Sequence, residues 1–311
     1  MQEIKVYAPI VIPTLCRYDH FRRCVESLSK CIHADKTELV IGLDYPLKEN
    51  HWEGYRKINE YVDTITGFKK VTILRTDHNL GFGPQGNMSR LTAYVTEKYD
   101  RWISTEDDNE FSPCFLDFIN KALEYYKDAP NVSSVCGFNQ YCSDKRKVIF
   151  TYDTSAWGRG RWVGKKGPTK EDTRTSLNNV WNVLKIFFYY PVALSKMIDM
   201  MNLGKSWGDV NWTCRNIVKE QYQLRPSVSL VRNWGCDGSG LHSNVTDVFS
   251  NMVISKAALF EMPMEKPKRS KELDVMVRHN MMPAGFFDFI KLELSILYKA
   301  LLYFFNQRKK Q

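Results

Sequence analysis

The first hundred residues alternate short apolar runs with stretches of helical periodicity, and no other feature restricts the fold of this chain so strongly. Residues 4–13 form an apolar run punctuated by prolines, suited to a buried strand. Phe21, Cys24, Val25 and Leu28 then fall at helical spacing. Residues 38–43 (ELVIGL) predict a second strand ending at Asp44, 51–63 a helix, 71–74 a third strand, 86–98 a helix and 101–104 (RWIS) a fourth strand. Such alternation predicts an α/β fold: a mostly parallel central sheet flanked by helices. Ligands of these sheets bind at the carboxyl ends of the strands. That directs attention to Pro13 and Thr14, Asp44, the loop after Asn79 and the acidic run after Ser104.

Past the fourth strand, Ser112 and Pro113 predict a helix start, and Phe115, Phe118, Ile119, Leu123 and Tyr126 supply its apolar face. Residues 131–138 predict another strand. Residues 150–175, rich in Gly, Trp, Arg and Thr, read as an irregular functional loop. Helices follow over 177–190 and 191–203, the second opened by Pro191 and closed by Gly204, with a further one from Asp209. The basic stretch 266–271 reads as a linker to the tail. With 311 residues the chain has room for one large domain or two fused ones.

Charge and cysteine usage bound the partners and the compartment. The formal net charge is +9, and residues 265–311 contribute ten Lys/Arg against five Asp/Glu, which favours an anionic partner. The eight cysteines form no C-x-x-C pair, so a zinc knuckle is unsupported. The N-terminus reads as a strand rather than a signal peptide. No run of 18 uncharged apolar residues is present, so a spanning helix is not expected. A cytoplasmic protein with free thiols is the expectation.

The chemistry concentrates in a few places. Trp102 to Ser104 leads through Thr105 into Glu106, Asp107 and Asp108. Three adjacent carboxylates destabilise one another unless neutralised, and a hard cation, Mg2+ or Mn2+, neutralises such a group together with phosphate oxygens. A solvated acidic turn is the plain alternative. Asp44 can accept a hydrogen bond from a nucleobase or a ribose hydroxyl, or simply serve the turn before Pro46. The loop Asn79-Leu80-Gly81-Phe82-Gly83-Pro84-Gln85-Gly86-Asn87 permits close backbone approach to a ligand at a helix start. It is neither a P-loop nor a Rossmann fingerprint.

In this order the motifs resemble those of GT-A nucleotide-sugar glycosyltransferases, chiefly bacterial family-2-like enzymes and the N-acetylglucosaminyltransferase I group. The resemblance spans about residues 4–245. It implies that Pro13, Thr14, Arg17, Asp44, Asn79, Gly81, Glu106 and Asp107 bind the donor nucleotide, and that Asp108, in the position of a D-x-D-type carboxylate, binds the metal. The segment Trp157-Gly158-Arg159-Gly160-Arg161-Trp162 is similar to a W-G-W-x-x-W segment, with Arg159 replacing an aromatic. By the resemblance, Trp157, Arg159, Arg161 and Trp162 shape the acceptor pocket; core packing is the rival role of both tryptophans. Trp207-Gly208-Asp209 with Trp212 and Arg215 resembles the helix start that carries the catalytic base, with Gly208 where an acid is usual. Asp209 is that base, or merely a helix N-cap. His242, closing the Gly-rich segment 233–243, would complete the metal sphere or touch a phosphate. The implied division is 1–110 for nucleotide-sugar binding, 111–264 for acceptor binding and catalysis, and 265–311 for a basic linker and amphipathic helix.

The implied activity is inverting transfer of a sugar, from a UDP-linked donor, to a hydroxyl of a glycan or lipid-linked glycan, as in bacterial surface polysaccharide synthesis. From 286 to 305 a mostly apolar helix carries a narrow polar stripe of Asp288, Lys291, Ser295, Lys299 and Asn306 and ends in Arg308, Lys309 and Lys310. It suits an anionic membrane surface at the inner face of the cell membrane. Docking on the protein itself, or on a second subunit of a homo-oligomer, is the alternative. A nucleic-acid partner is not expected, because an acidic sheet edge repels phosphates. Two further readings stand beside the enzyme: a catalytically inactive sugar-nucleotide-binding homologue, and a sugar-1-phosphate nucleotidylyltransferase, whose Gly-rich opening loop is missing after the first strand.

Overall fold

A computed structural model describes residues 4, 6–141, 147–240, 245–263 and 265–308. In chain order the elements are β1 (Ile10–Thr14), α1 (Tyr18–Ser29), β2 (Glu38–Leu43), α2 (Trp52–Tyr61), β3 (Lys70–Arg75), α3 (Asn87–Thr96), β4 (Arg101–Ser104), β5 (Asn109–Phe111) and α4 (Phe115–Tyr125). Then come β6 (Val132–Cys136), β7 (Val148–Thr151), β8 (Arg159–Trp162), α5 (Lys170–Asn178), α6 (Val180–Tyr189), α7 (Pro191–Leu203) and α8 (Gly208–Lys219). The chain continues through β9 (Tyr222–Pro226), β10 (Val231–Asn233), α9 (Lys271–Met281) and α10 (Phe286–Arg308).

Eight strands form one mixed sheet in the order β3-β2-β1-β4-β8-β6-β9-β7. The expected α/β architecture is present: β3, β2, β1 and β4 are parallel, as are β6 and β9, while β8 runs antiparallel between β4 and β6. Strand pleat sorts the side chains. Ile10, Ile12, Leu39 and Ile41 enter the main core with α1 and α4, while Val11, Val40 and Trp102 face α3 with Leu91 and Val95. Helices therefore cover both faces, as a parallel sheet requires. A second core joins α6, α7, α8, α9 and α10 through Ile186, Leu194, Ile198, Ile217, Val277 and Ile296.

The structure departs from the sequence reading in three places. Residues 150–175, expected as an irregular loop, contain the end of β7, the whole of β8 and most of α5. Strand β8 hides from pattern reading because the residues on one of its faces are Arg159 and Arg161 rather than aliphatic. Ser112 does not cap α4: its hydroxyl donates to the Ser255 carbonyl, and the capping position falls to Cys114 with no side-chain bond. The basic stretch ends in a helix, α9, whose Asp274 accepts from Thr151 and Tyr190 hydroxyls at 2.9 Å each. Pro191 and Gly204 do bound α7, with Gly204 in the left-handed conformation.

The tail helix docks on the protein. Ile296, Ala300 and Tyr303 are buried, and Lys299 pairs with Asp199 at 2.7 Å and donates to Ser195 at 2.9 Å. Its opposite side leaves Ile290, Leu294, Tyr298, Leu301 and Phe305 exposed. Among the described residues no helix is long and apolar enough to cross a membrane.

Candidate functional site

Parallel strands β1, β2 and β4 deliver their ends to one edge, and the charged residues gather there. The Thr14 hydroxyl donates to Asp107 at 2.9 Å. Arg17, just before α1, forms salt bridges to both Asp107 and Asp108, the latter at 2.8 Å. Both aspartates are buried, and Arg17 is 22% exposed. Burial raises the Asp107 pKa; Arg17 opposes the rise and Asp108 adds to it. Burial also works against the Arg17 charge, but the two carboxylates outweigh it and hold the guanidinium protonated.

The acidic turn is clamped from behind by a two-stranded ribbon. Strands β5 and β10 pair antiparallel, setting Asn109 opposite Asn233 and Glu110 opposite Arg232. Asn233 Nδ2 donates to Asp108 Oδ1 at 2.6 Å, and the Trp234 N–H donates to the Asp108 carbonyl at 2.9 Å. Gly235 lies so close that a Cβ there would sit 2.0 Å from Asp108 Oδ2. The late Gly-rich segment and the acidic turn thus form one unit.

Glu106 and Asp209 line the open part of the cleft. Glu106 is accessible to solvent yet surrounded by protein, and its Oε2 accepts from Trp157 Nε1 at 3.1 Å. Desolvation, then the charges of Asp108 and Asp209, push its pKa up to about 7. Trp157 is wedged edge-on against Phe138 and Phe249, with ring centroids 4.5 and 5.1 Å away. Asp209 stands in the first turn of α8 and is not its cap; Trp207 holds the capping position without a side-chain bond. The Asp209 side chain is 57% exposed and lies 3.9 Å from Arg159 Nη1. Its pKa is raised by the protein around it; Arg159 pulls it back and Asp153 adds to the rise. Asp153 is itself tied to Arg225, a wholly buried guanidinium 3.0 Å away.

Asp44 has a definite occupation. Its carboxylate accepts from the N–H groups of Tyr45, Leu80 and Gly81 at 2.9, 2.8 and 3.0 Å, and from the Thr76 hydroxyl at 3.2 Å. Asn79 Nδ2 donates to the Tyr45 carbonyl at 2.6 Å. Gly81 has a φ of 57°, and a Cβ on Gly86 would meet the Gly81 carbonyl at 2.6 Å, so the loop before α3 is drawn tight. Beside it opens a hollow of about 610 Å³ lined by Arg75, Thr76, Asp77, His78, Leu80 and Arg90.

Among the residues singled out in the sequence, Thr14, Arg17, Glu106, Asp107, Asp108, Trp157, Arg159 and Asp209 come together. Pro13, on β1, and Asp44, whose N–H donates to the Thr14 carbonyl at 2.9 Å, continue the same edge toward Asn79 and Gly81. Trp162 does not join them. It is buried on the other face of β8, donates to the Leu123 carbonyl at 2.9 Å and carries Lys165 over its ring. His242 lies outside the described residues. Sequence reasoning marks Asn233 and Gly235 only as part of the Gly-rich segment 233–243, without their contact with Asp108, and it misses Asp153 and Arg225.

The residues as folded do not fit a divalent cation at Asp108. Both of its carboxylate oxygens already face donors, Asn233 and Arg17. Among the described residues no three His, Cys, Asp or Glu side chains come together in a metal-holding group. The counter-charge expected of a cation is supplied here by Arg17.

No family model and no curated protein matches the chain. Among solved structures, S. aureus TarS 1-349 in complex with UDP-GlcNAc aligns at 12% identity over 81% of this chain and 68% of that one, with a TM-score of 0.43. A mannosyltransferase, PcManGT from Pyrobaculum calidifontis, in complex with GDP-Man and Mn2+, aligns at 11% identity over 71% of this chain and 57% of that one, with a TM-score of 0.38. Another structure of S. aureus TarS 1-349 aligns at 12% identity with a TM-score of 0.34, over 50% of this chain and only 47%, about half, of that one. None of these reaches a TM-score of 0.5.

Proposed function

We propose that the chain is a nucleotide-sugar glycosyltransferase of GT-A architecture, acting on a UDP-linked donor and a hydroxyl of a glycan or lipid-linked glycan. The observation that carries this reading is the convergence of Glu106, Asp107, Asp108 and Asp209 on the carboxyl edge of a parallel sheet, beside a Gly loop anchored by Asp44. In that reading the nucleoside lies along the Thr14–Asp44 edge and the sugar reaches the carboxylates. Asp209, exposed in the cleft and off the capping position, takes the proton of the acceptor hydroxyl as it attacks the anomeric carbon. The Arg159 charge, 3.9 Å away, favours the ionised form of Asp209. Trp157 offers an apolar ring beside Glu106 for a sugar face. Inversion at the anomeric carbon follows from the family resemblance. The resemblance also implies Mn2+ or Mg2+ dependence; Asn233 and Arg17 on Asp108 stand against it, and no step is assigned to the cation.

One observation favours a second reading. Arg17 occupies the carboxylates that such enzymes keep for metal and phosphate, as expected of an inactive homologue that binds sugar nucleotides without turnover. A panel of nucleotide sugars, each with and without Mn2+ or Mg2+, separates the two by thermal stabilisation and donor hydrolysis. A UDP-sugar that raises Tm and is slowly hydrolysed is expected. Stabilisation with no turnover on any acceptor selects the inactive homologue, and no stabilisation by any nucleotide removes both readings.

Attachment to an anionic membrane surface through the exposed side of α10 belongs to the same proposal, as does a role in surface polysaccharide assembly. The apolar residues there are solvent-facing, so they can be changed without disturbing the core. Leu294→Glu with Leu301→Glu is expected to keep the Tm and to abolish co-sedimentation with phosphatidylserine-containing vesicles. Equal sedimentation of both proteins would remove the membrane role.

A further inference from the structure

Three guanidinium groups gather on one side of the cleft with almost no negative charge to meet them. Strand pleat places Arg159 and Arg161 on the same face of β8, with Gly160 and Trp162 turned toward α4. Helix α8 lies across that face. Its Trp212 ring has the guanidinium carbons of Arg159, Arg161 and Arg215 at 5.5, 5.9 and 5.8 Å from its centroid. Arg161 also lies 4.5 Å from the Trp102 ring, its neighbour in the β4–β8 register. Gly167 presses on the Trp212 ring, where a Cβ would come within 3.0 Å.

These cations are under-satisfied. Arg159 is only 9% exposed, and its Nε and Nη1 have no hydrogen-bond partner. The same is true of Nε in both Arg161 and Arg215. Among the described residues the one carboxylate within 4 Å of them is Asp209, at a loose 3.9 Å from Arg159. Asp172 feels the Arg215 charge without forming an ion pair within 4 Å, and its Oδ2 accepts from the Thr169 N–H and hydroxyl. Burial and the neighbouring Arg159 lower the Arg161 pKa to about 9, as expected where like charges lack a counter-ion. Stacking on indole offsets part of that cost. It leaves Nε of all three, and Nη1 of Arg159, without an acceptor, and in-plane guanidinium N–H groups are the donors that oxyanions take in pairs.

From this geometry we infer that Arg159, Arg161 and Arg215 around Trp212 form a binding site for an oxyanion carried by the acceptor: a phosphate, sulfate or carboxylate group. This rests on the glycosyltransferase reading and narrows its acceptor class to anionic molecules. The position separates it from the donor side. In the β8–β4 register Arg159 lies opposite Ser104, at the carboxylate edge, and Arg161 opposite Trp102, about 7 Å deeper along the strand. Along α8, Asp209, Trp212 and Arg215 succeed one another over about 9 Å in the helix. The cluster therefore extends from Asp209 away from Asp107 and Asp108.

Inorganic phosphate, sulfate and acetate, each compared with chloride at equal ionic strength, test the site on the whole protein by thermal shift and calorimetry. At least one is expected to bind, with its Kd raised about tenfold or more in Arg161→Gln and in Arg215→Gln. Binding should persist when the protein is saturated with UDP, and UDP affinity should be unchanged in both variants. No binding beyond chloride, or binding untouched by either substitution, overturns the inference. Displacement of the bound anion by UDP also overturns it, because the cluster would then belong to the donor diphosphate; this arm uses the wild-type protein and does not depend on a variant folding. Failure of UDP and of every other nucleotide in the panel to bind removes the glycosyltransferase reading and leaves the anion measurement readable on its own.

Discussion

Replacing Asp209 by Asn is expected to lower kcat by about 10²–10⁴-fold, the usual contribution of a positioned general base, while nucleotide binding and Tm stay as in the wild type. The side chain is exposed and makes no capping bond, so its loss leaves the helix intact. The pH profile gives the sharper readout. Transfer needs the ionised carboxylate, so activity falls as pH drops through the Asp209 pKa. Protein around the group raises that value, and the acid limb of kcat/KM is expected above the ordinary carboxylate range. The residual activity of Asp209→Asn should lack this limb. Wild-type turnover in the variant would remove Asp209 from the chemistry.

Arg17→Ala should have the largest effect on stability. It strands Asp107 and Asp108 in a buried site without their cation, and breaking a buried ion pair from one side costs about 3–5 kcal/mol. Urea unfolding at neutral pH measures the loss. The sign of its pH dependence is fixed. Without Arg17 the folded-state pKa of Asp107, already raised by burial, rises further above the unfolded one, so the folded state binds that proton more tightly. The deficit then shrinks as pH falls through that raised value, since a protonated Asp107 needs no counter-charge. Arg17→Lys keeps the charge and should recover part of the loss. A deficit that is the same at all pH values would mean that Arg17 acts by packing alone.

How much of this was legible before folding depends on the range of each interaction. The parallel half of the sheet could be read because β1, β2 and β4 are locally apolar, and the acidic turn stood out because an apolar strand ran into it. Its neutralisation could not be read: Arg17 is 90 residues from Asp107 in sequence, and nothing local marks the pair. The Asn233 clamp on Asp108 spans 125 residues and depends on a three-residue ribbon too short to show periodicity. Strand β8 was missed because its Arg-Gly-Arg-Trp sequence lacks the alternation that a half-buried strand displays against solvent. The separate fates of Trp157, at the cleft, and Trp162, in the core, follow from loop direction and pleat parity, which composition does not encode. Helix α9 was hidden by the basic residues leading into it, although Asp274 and Val277 seat it firmly in the second core.

The four residues of β8 serve two masters at once: guanidiniums above the sheet, a glycine and an indole below. Such a ribbon tolerates no change in length. Deleting one residue between Gly158 and Arg161 would swing the cations down against Ile119 and Leu123 and turn Trp162 up against Trp212 of α8. An insertion or deletion here would dismantle core and cleft together. Natural variants of this chain should therefore differ in spelling along 158–162 and agree in its letter count.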